Sequence, residues 1–579
     1  VSRLKESVFH GRPVRFSPLA RVERIVHTLS PFEKLVFIAF VLLALAGSLA
    51  LLYSVHATYL SSETPTWGGE LTEGIIGFPR FVNPLLAVSD ADRDITALVF
   101  SGLMRSRFND SPVPDLAESY TVSEDKLVYT FTIREGAVFH DGTPVTADDV
   151  VFTIRGTQDP ALKSPRRANW DGVLVEKVDD RTVSFTLPQP YGAFLENATI
   201  GILPAHIWRN ISPDEFPFSA LNTEPVGAGP YSVSKITRDH SGVPTSYTLE
   251  SFTSYAPQPA YIETVTFSFF SNETAAKEAY ERGTIDSLGG LSPNTQEGLA
   301  SGQTYEVPLA RTFAIFFNLN VELFTNIEVR KALEATISSE ELIEEILAGR
   351  GTPLLGPVPP GIIDTHEDVA VVKTREERLA QARAILERNG WEQNEDGVYE
   401  NEGTPLSFTL STLGIPELSA IVEKVAKDWG EMGADVTVQI FDQSDLTQSV
   451  IRPRRFDTLL FGQVVGREVD LFAFWHSSQR NDPGLNIASY ANITVDRILE
   501  RMRRTEDREE LAKEYSLLKE ELTNDSPAIF LYAPNYTYTL PESVRGVAVS
   551  VLSAPYERFL DAPSWFITTK RVWHFFANN

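Results

Sequence analysis

At 579 residues the chain exceeds what one hydrophobic core organises, and usual domain sizes imply about two to four folding units. Its 51 basic and 78 acidic residues leave a formal charge of -27, which excludes general affinity for a phosphate backbone unless a basic patch is concentrated somewhere. The arginines at 452, 454 and 455 and at 501, 503 and 504 have acidic neighbours and read as solvated faces, and the absence of cysteine removes disulfides, thiolate metal sites and thiol nucleophiles together.

Residues 35–53 form an uncharged, almost wholly apolar run, long enough as a helix to cross about 30 Å of hydrocarbon. Seven basic residues precede it (Arg3, Lys5, Arg12, Arg15, Arg21, Arg24 and Lys34) against Glu6, Glu23 and Glu33. That excess predicts a cytoplasmic segment at 1–34, a transmembrane helix at 35–57 and an extracytoplasmic domain beyond it. A cleavable signal peptide is the closer rival reading, although the basic region is long for one. The tetrapeptide LAGS at 45–48 looks like a lipoprotein cleavage box with serine where the lipid-bearing cysteine belongs. Residues 58–67, with small polar residues and proline, predict a short linker.

Farther on, residues 127–133 and 182–187 alternate with period two and predict half-buried strands, while 147–154 and 329–346 carry helical spacing. Helices are expected at 375–389 and 418–432, stopped by Gly390 and Gly433. Each leads into strand-like stretches, at 406–410, 435–440 and 458–461, so this region reads as an α/β lobe with a mixed sheet. No repeat of 20 to 50 residues recurs.

The strings VFSGLM at 99–104, VPDLAESYTV at 113–122 and FHDGTPVTADDVVF at 139–152 follow one another closely. PVGAGPY at 225–231, FFNL at 316–319, IEVRKALEATI at 327–337 and AQARAILERNGW at 380–391 come after them. In this order, over about residues 67–550, the chain resembles the family 5 extracellular solute-binding proteins, the peptide and nickel binders of ABC import systems. Physically the strings are mostly scaffold. Asp141 and Gly142 make a turn, Thr146 caps the helix that Ala147 begins, and Gly227 and Gly229 allow a tight bend.

The resemblance implies an α/β, two-lobed fold of the type II periplasmic-binding-protein kind with an extra subdomain, preceded by one transmembrane helix. Lobe one is expected at 62–97, 219–308 and 531–579, the inserted subdomain at 98–218 and lobe two at 309–530. It also implies a ligand held in the cleft between the lobes. In peptide-binding relatives an aspartate after a lobe-two strand pairs with the ligand amine, and here that place falls near Val465. Glu468 and Asp470 are close enough to substitute, Arg467 is placed to meet a carboxylate, and Gln463 joins them from the strand end. A solvated loop with Asp470 as helix cap is the competing reading of this group. Arg80 and Phe81 follow the opening strand, and Asn318 stands where the chain enters lobe two, bonding either ligand or hinge backbone. Trp475 and Tyr532 are candidate apolar walls, with core packing as the alternative for each.

The histidines show no HExxH and no i, i+4 pair, no GK[ST] loop or GxSxG elbow occurs, and Pro230 interrupts the glycine motif at 227–229. The expectation is a non-enzymatic receptor without cofactor. It would take a peptide or small solute, deliver it to an ABC permease and ATPase, sit on the membrane through one helix, and bind no nucleic acid. A ligand sensor or adhesion module on the same fold, and a binder of chelated nickel, are the rival functions.

Overall fold

A computed structural model describes residues 28–55, 61–108, 110–256, 258–296, 299, 302–363, 373–466, 469–505 and 507–573. The chain divides into two units, one formed by residues up to Thr66 together with those from Thr569, the other by Trp67–Thr568.

In the first unit, helix α1 (Pro31–Val55) exposes apolar side chains on every side. Ser30 and Glu33 cap its start, the Ser30 N–H donating to Glu33 Oε2 at 2.8 Å. Its 25 residues reach about 37 Å at 1.5 Å per residue, and the stretch Pro31–Leu51 has the length and apolarity needed to cross a membrane. The expected linker at 58–67 is corrected in part: strand β1 (Ser61–Pro65) pairs antiparallel with Thr569–Trp573, Ser61 opposite Trp573. A partner some five hundred positions away leaves no trace in local composition, which is why the polar stretch read as a loop.

Within the second unit, β2 (Glu70–Ile76) and α2 (Asp90–Val99) open lobe one. Ser89 and Asp92 cap α2 reciprocally, each side chain taking the other's backbone N–H. The chain then builds a separate four-stranded antiparallel sheet from β3 (Ala117–Val122), β4 (Val128–Ile133), β5 (Leu174–Lys177) and β6 (Thr182–Thr186), with α3 (Ala147–Gln158) packed on it. Burial alternates strictly along β4 and β6, so one face meets the core and the other water. Thr146 and Asp149 form the capping box of α3.

The glycines expected to bend at 227 and 229 act instead by close approach: a Cβ at Gly227 would stand 2.0 Å from the Val99 carbonyl oxygen, and one at Gly229 2.5 Å from that of Leu98. They let the returning chain lie against the end of α2 before β7 (Tyr231–Arg238), β8 (Pro244–Ser251), β9 (Thr264–Phe270), β10 (Ser287–Gly289) and β11 (Gln303–Pro308) complete lobe one.

Lobe two begins with β12 (Arg311–Phe317), followed by α4 (Ile327–Ala335), α5 (Ser339–Leu347), α6 (Arg375–Arg388), β13 (Ser407–Leu413), α7 (Pro416–Met432), β14 (Asp435–Phe441) and β15 (Thr458–Val464). Helices α8 (Ile493–Arg504) and α9 (Arg508–Asp525) lead to β16 (Ala528–Leu540). The single helix expected at 329–346 is two: Thr336 folds its hydroxyl back onto the Leu333 carbonyl, and Ser338 caps α5 through the Glu341 N–H. Apolar spacing continued across the break because both segments face the same core. Gly390 and Gly433 stand at positive φ just past α6 and α7, as expected.

Strand order runs β14-β13-β15-β12-β16-β10-β2-β9-β8-β7, with β11 also on β16. In lobe two the side chains of β12 alternate between two cores. Ile315 and Phe317 join Leu410, Ile421 and Trp429 on one side, while Ala314 and Phe316 join Leu459, Trp475 and Leu518 on the other. Coverage on both faces accounts for the nearly continuous apolar run of this strand.

Candidate functional site

Two stretches of backbone carry the chain between the lobes. One is the passage from β11 through Leu309 and Ala310 into β12; the other is β16, whose first residues pair with β12 and whose last pair with β11. Pro534 interrupts β16 between the two ladders, where its carbonyl accepts the Leu309 N–H at 2.9 Å. Ala310 is clasped from both sides: its N–H donates to the Leu552 carbonyl at 2.7 Å and its own carbonyl accepts the Val465 N–H at 2.9 Å. The segment after β15, in which the sequence placed four of the nine recognition candidates, is thus tied by backbone to the crossing at Val465.

Beside the crossing, Tyr532 of β16 stacks on Phe313 of β12, ring centroids 5.0 Å apart and planes 6° from parallel. Burial raises the phenol's pKa, and the hydroxyl has no hydrogen-bond partner among the described residues. Gly462 is a requirement of this stack, because a Cβ there would meet the Phe313 ring at 2.8 Å. Arg311 stands opposite Val464 in the β12–β15 ladder, and its Nε is enclosed without a hydrogen-bond partner among the described residues. The sequence reading missed this arginine. Its only signal was a lone cation heading the apolar run 312–317, directly after the passage between lobes.

The other candidates divide. The backbone N–H groups of Arg80 and Phe81 both donate to Asp92 Oδ1, at 2.6 and 2.7 Å, fixing their loop to the start of α2. The exposed Arg80 guanidinium lies over the Phe81 ring, 4.9 Å from its centroid. Gln463 is buried at the end of β15, opposite Thr312. Arg467 and Glu468 lie outside the described residues.

Three further candidates are engaged within the protein, on the side of the competing readings. Asn318 is buried, with its Nδ2 donating to the carbonyls of Arg454 at 3.0 Å and Phe456 at 2.7 Å, so it holds backbone and is not open to a ligand. Trp475 is 1% exposed and packs among Phe316, Tyr490 and Phe530, inside a core and not along a wall. Asp470 already accepts the Phe472 N–H at 3.3 Å and pairs with Arg503 Nη2 at 3.1 Å, so its carboxylate caps a helix and holds an arginine. Arg503 was read as part of a solvated face. Its guanidinium in fact covers Phe472 at 4.6 Å and faces Tyr191 of the subdomain at 5.9 Å.

Among the described residues no cluster of three or more histidine, aspartate or glutamate side chains could hold a metal ion. What the crossing offers is a buried aromatic stack, an unpaired guanidinium nitrogen and backbone at a strand end, a set that suits a ligand with a carboxylate and an apolar body.

Comparison with known proteins agrees with this architecture. The family model described as bacterial extracellular solute-binding proteins, family 5 Middle, matches residues 111–484. The oligopeptide-binding protein AppA of Bacillus subtilis is 30% identical over 496 residues, covering 84% of this chain and 90% of the relative. Its solved structure in complex with a nonapeptide aligns with a TM-score of 0.65 at 28% identity, over 87% of this chain and 100% of that one. The structure of NikZ from Campylobacter jejuni in complex with Ni(L-His) shares the fold, with a TM-score of 0.65 at 24% identity over 86% of this chain and 99% of its own. With a matched model over more than half its length and a relative at this identity, the chain belongs to the family 5 bacterial extracellular solute-binding proteins.

Proposed function

We propose that this protein is the solute receptor of an ABC importer, that it takes peptides between lobe one and lobe two, and that helix α1 tethers it to the outer face of a membrane. The observation that carries the reading is the double backbone crossing at Leu309–Ala310 and Pro534, with separate hydrophobic cores on either side. Two bodies between which the chain crosses at such passages can close on a guest, and closure is favoured to the degree that the closed form contacts the guest better. The ligand class is supported by the likeness to the oligopeptide-binding protein of Bacillus subtilis.

In this reading Phe313, backed by the buried ring of Tyr532, forms an apolar floor, Arg311 meets the ligand carboxylate, Arg80, Phe81 and Gln463 line the approach, and Arg467 and Glu468 add to recognition. Asp470 positions Arg503 and does not touch the ligand. Chemistry on the solute is left to other proteins, and permease and ATPase subunits are the partners.

Thermal unfolding of the full chain in detergent, against pools of two- to nine-residue peptides, single amino acids, sugars and nickel with histidine, tests the assignment. Peptides are expected to raise the midpoint and the other solutes to leave it unchanged. A shift with nickel and histidine alone, or with sugars alone, removes the peptide reading.

A further inference from the structure

A cavity of about 140 Å³ lies where the inserted subdomain meets lobe one, away from the crossing. One wall is α2 with Arg93 and Phe100, another the segment 101–106, a third residues 199–201, and residues 556–563 close it. No residue of lobe two takes part. The walls meet closely at two glycines: a Cβ at Gly102 would stand 2.6 Å from the Thr199 carbonyl, and one at Gly201 2.6 Å from Phe100 Cβ. Contact at that range makes the enclosure a fixed property of the fold and not an accident of side-chain rotamers.

The lining is mostly apolar, through Phe100, Met104, Ile200 and Phe559, yet Arg93 and Arg105 both border it. Arg105 Nε is enclosed and has no hydrogen-bond partner among the described residues. A donor in that condition costs free energy which an incoming acceptor recovers. The carboxylates at the cavity are engaged: Asp115 accepts from Tyr255 Oη at 2.7 Å, and Glu557 Oε2 accepts the Ser553 N–H at 2.7 Å. Arg166, at the rim, reaches Tyr556 Oη at 3.5 Å.

We propose that this cavity is a second ligand site, specific for a small monocarboxylate with a short apolar body, its carboxylate on Arg105 and its chain among Phe100, Met104 and Phe559. The size follows from volume, since a cavity of about 150 Å³ takes a benzene-sized molecule. The chemistry follows from setting the open Nε of Arg105, whose charge also acts on Asp115, beside apolar walls, because guanidinium and carboxylate match in charge and hydrogen-bond geometry. The site is independent of the peptide reading, as it shares no residue with the crossing.

The test is calorimetric titration of the full chain in detergent with pentanoate and, separately, with pentanamide. Saturable binding of pentanoate at one site per chain is expected, with pentanamide at least tenfold weaker. Arg105→Gln is expected to weaken pentanoate at least tenfold, Arg105→Lys to keep most of the affinity, and Arg452→Gln, outside the cavity, to change nothing. Absence of saturable binding, equal binding of the amide, or undiminished binding by Arg105→Gln overturns the proposal. If Arg105→Gln loses its fold, Ala97→Leu, which fills the cavity with an apolar side chain, takes its place; loss of binding supports the site and unchanged binding overturns it.

Discussion

The backbone N–H of Gly192, in the inserted subdomain, donates to the carbonyl oxygen of Arg503, at the end of α8 in lobe two, at 3.4 Å. Beside this bond the Arg503 guanidinium lies between Phe472 and Tyr191 and pairs with Asp470. The subdomain therefore touches lobe two at a second place, remote in sequence from the crossing, and any opening of the lobes has to break that contact.

Arg503→Ala should shift the unliganded protein toward more open forms and weaken ligand binding about three- to tenfold, equivalent to roughly 0.7–1.4 kcal/mol for one part-exposed ion pair and its ring contacts. Because the chain has no cysteine, thiols introduced at the exposed positions Leu174 and Ile493 would be unique labels for a distance measurement. An unchanged label separation in Arg503→Ala would show that the contact does not hold the two bodies together.

His140 sets a pH dependence. Its Nε2 meets the Gly229 carbonyl at 3.0 Å and its Nδ1 accepts the Gly227 N–H, an arrangement that requires the neutral ring, and burial lowers its pKa from 6.5 to about 4. Between those values the unfolded chain binds a proton that the folded chain does not. The stability from this group is therefore complete above pH 6.5 and falls as the pH drops toward 4, by an order of 1–3 kcal/mol. Unfolding of the wild type and His140→Gln at pH 7 and pH 4.5 should show a smaller acid loss in the variant; equal losses would assign the effect to other groups.

Arg558 is 2% exposed and bonds both Asp94, at 2.6 and 2.9 Å, and Glu73, at 3.0 Å. Burial outweighs the arginine in holding the Asp94 pKa up, to about 6. Arg558→Met would leave two buried carboxylates facing each other and should cost about 3–5 kcal/mol, lowering the unfolding midpoint sharply. Retention of wild-type stability would mean that the carboxylates take up protons at little cost. The triple variant Glu73→Gln, Asp94→Asn, Arg558→Met should recover part of the loss, because it removes the charges together.

Deleting residues 1–60 should move the protein from the membrane fraction to the soluble fraction, since α1 carries the long apolar surface that a bilayer covers. Peptide binding by the truncated chain should match that of the full chain. Continued sedimentation with membranes would place the attachment elsewhere.

The candidate site was legible in type more than in detail. Motifs such as FHDGTPVTADDVVF identified the fold because they encode local events: a turn at Asp141 and Gly142, whose φ is +85°, and a capping box at Thr146 and Asp149. For Asn318 and Trp475 the sequence left ligand contact and internal packing both open, because residue type does not reveal whether a side chain faces the core. Arg503 was misjudged for the converse reason. On its own helix it belongs to a charged end, and its partners Asp470, Phe472 and Tyr191 all come from other segments of the chain.

From the sequence alone came the apolar helix, the positions where glycine ends α6 and α7, the alternation of β4 and β6, and the family, all properties of neighbouring residues or of short strings. Tertiary structure decided that polar residues 61–65 form a strand, that Gly227 and Gly229 serve close approach, and which arginine Nε atoms are enclosed without a hydrogen bond among the described residues. Each of these depends on contacts between segments far apart in the sequence, whose energies are set by burial and geometry that no local pattern specifies.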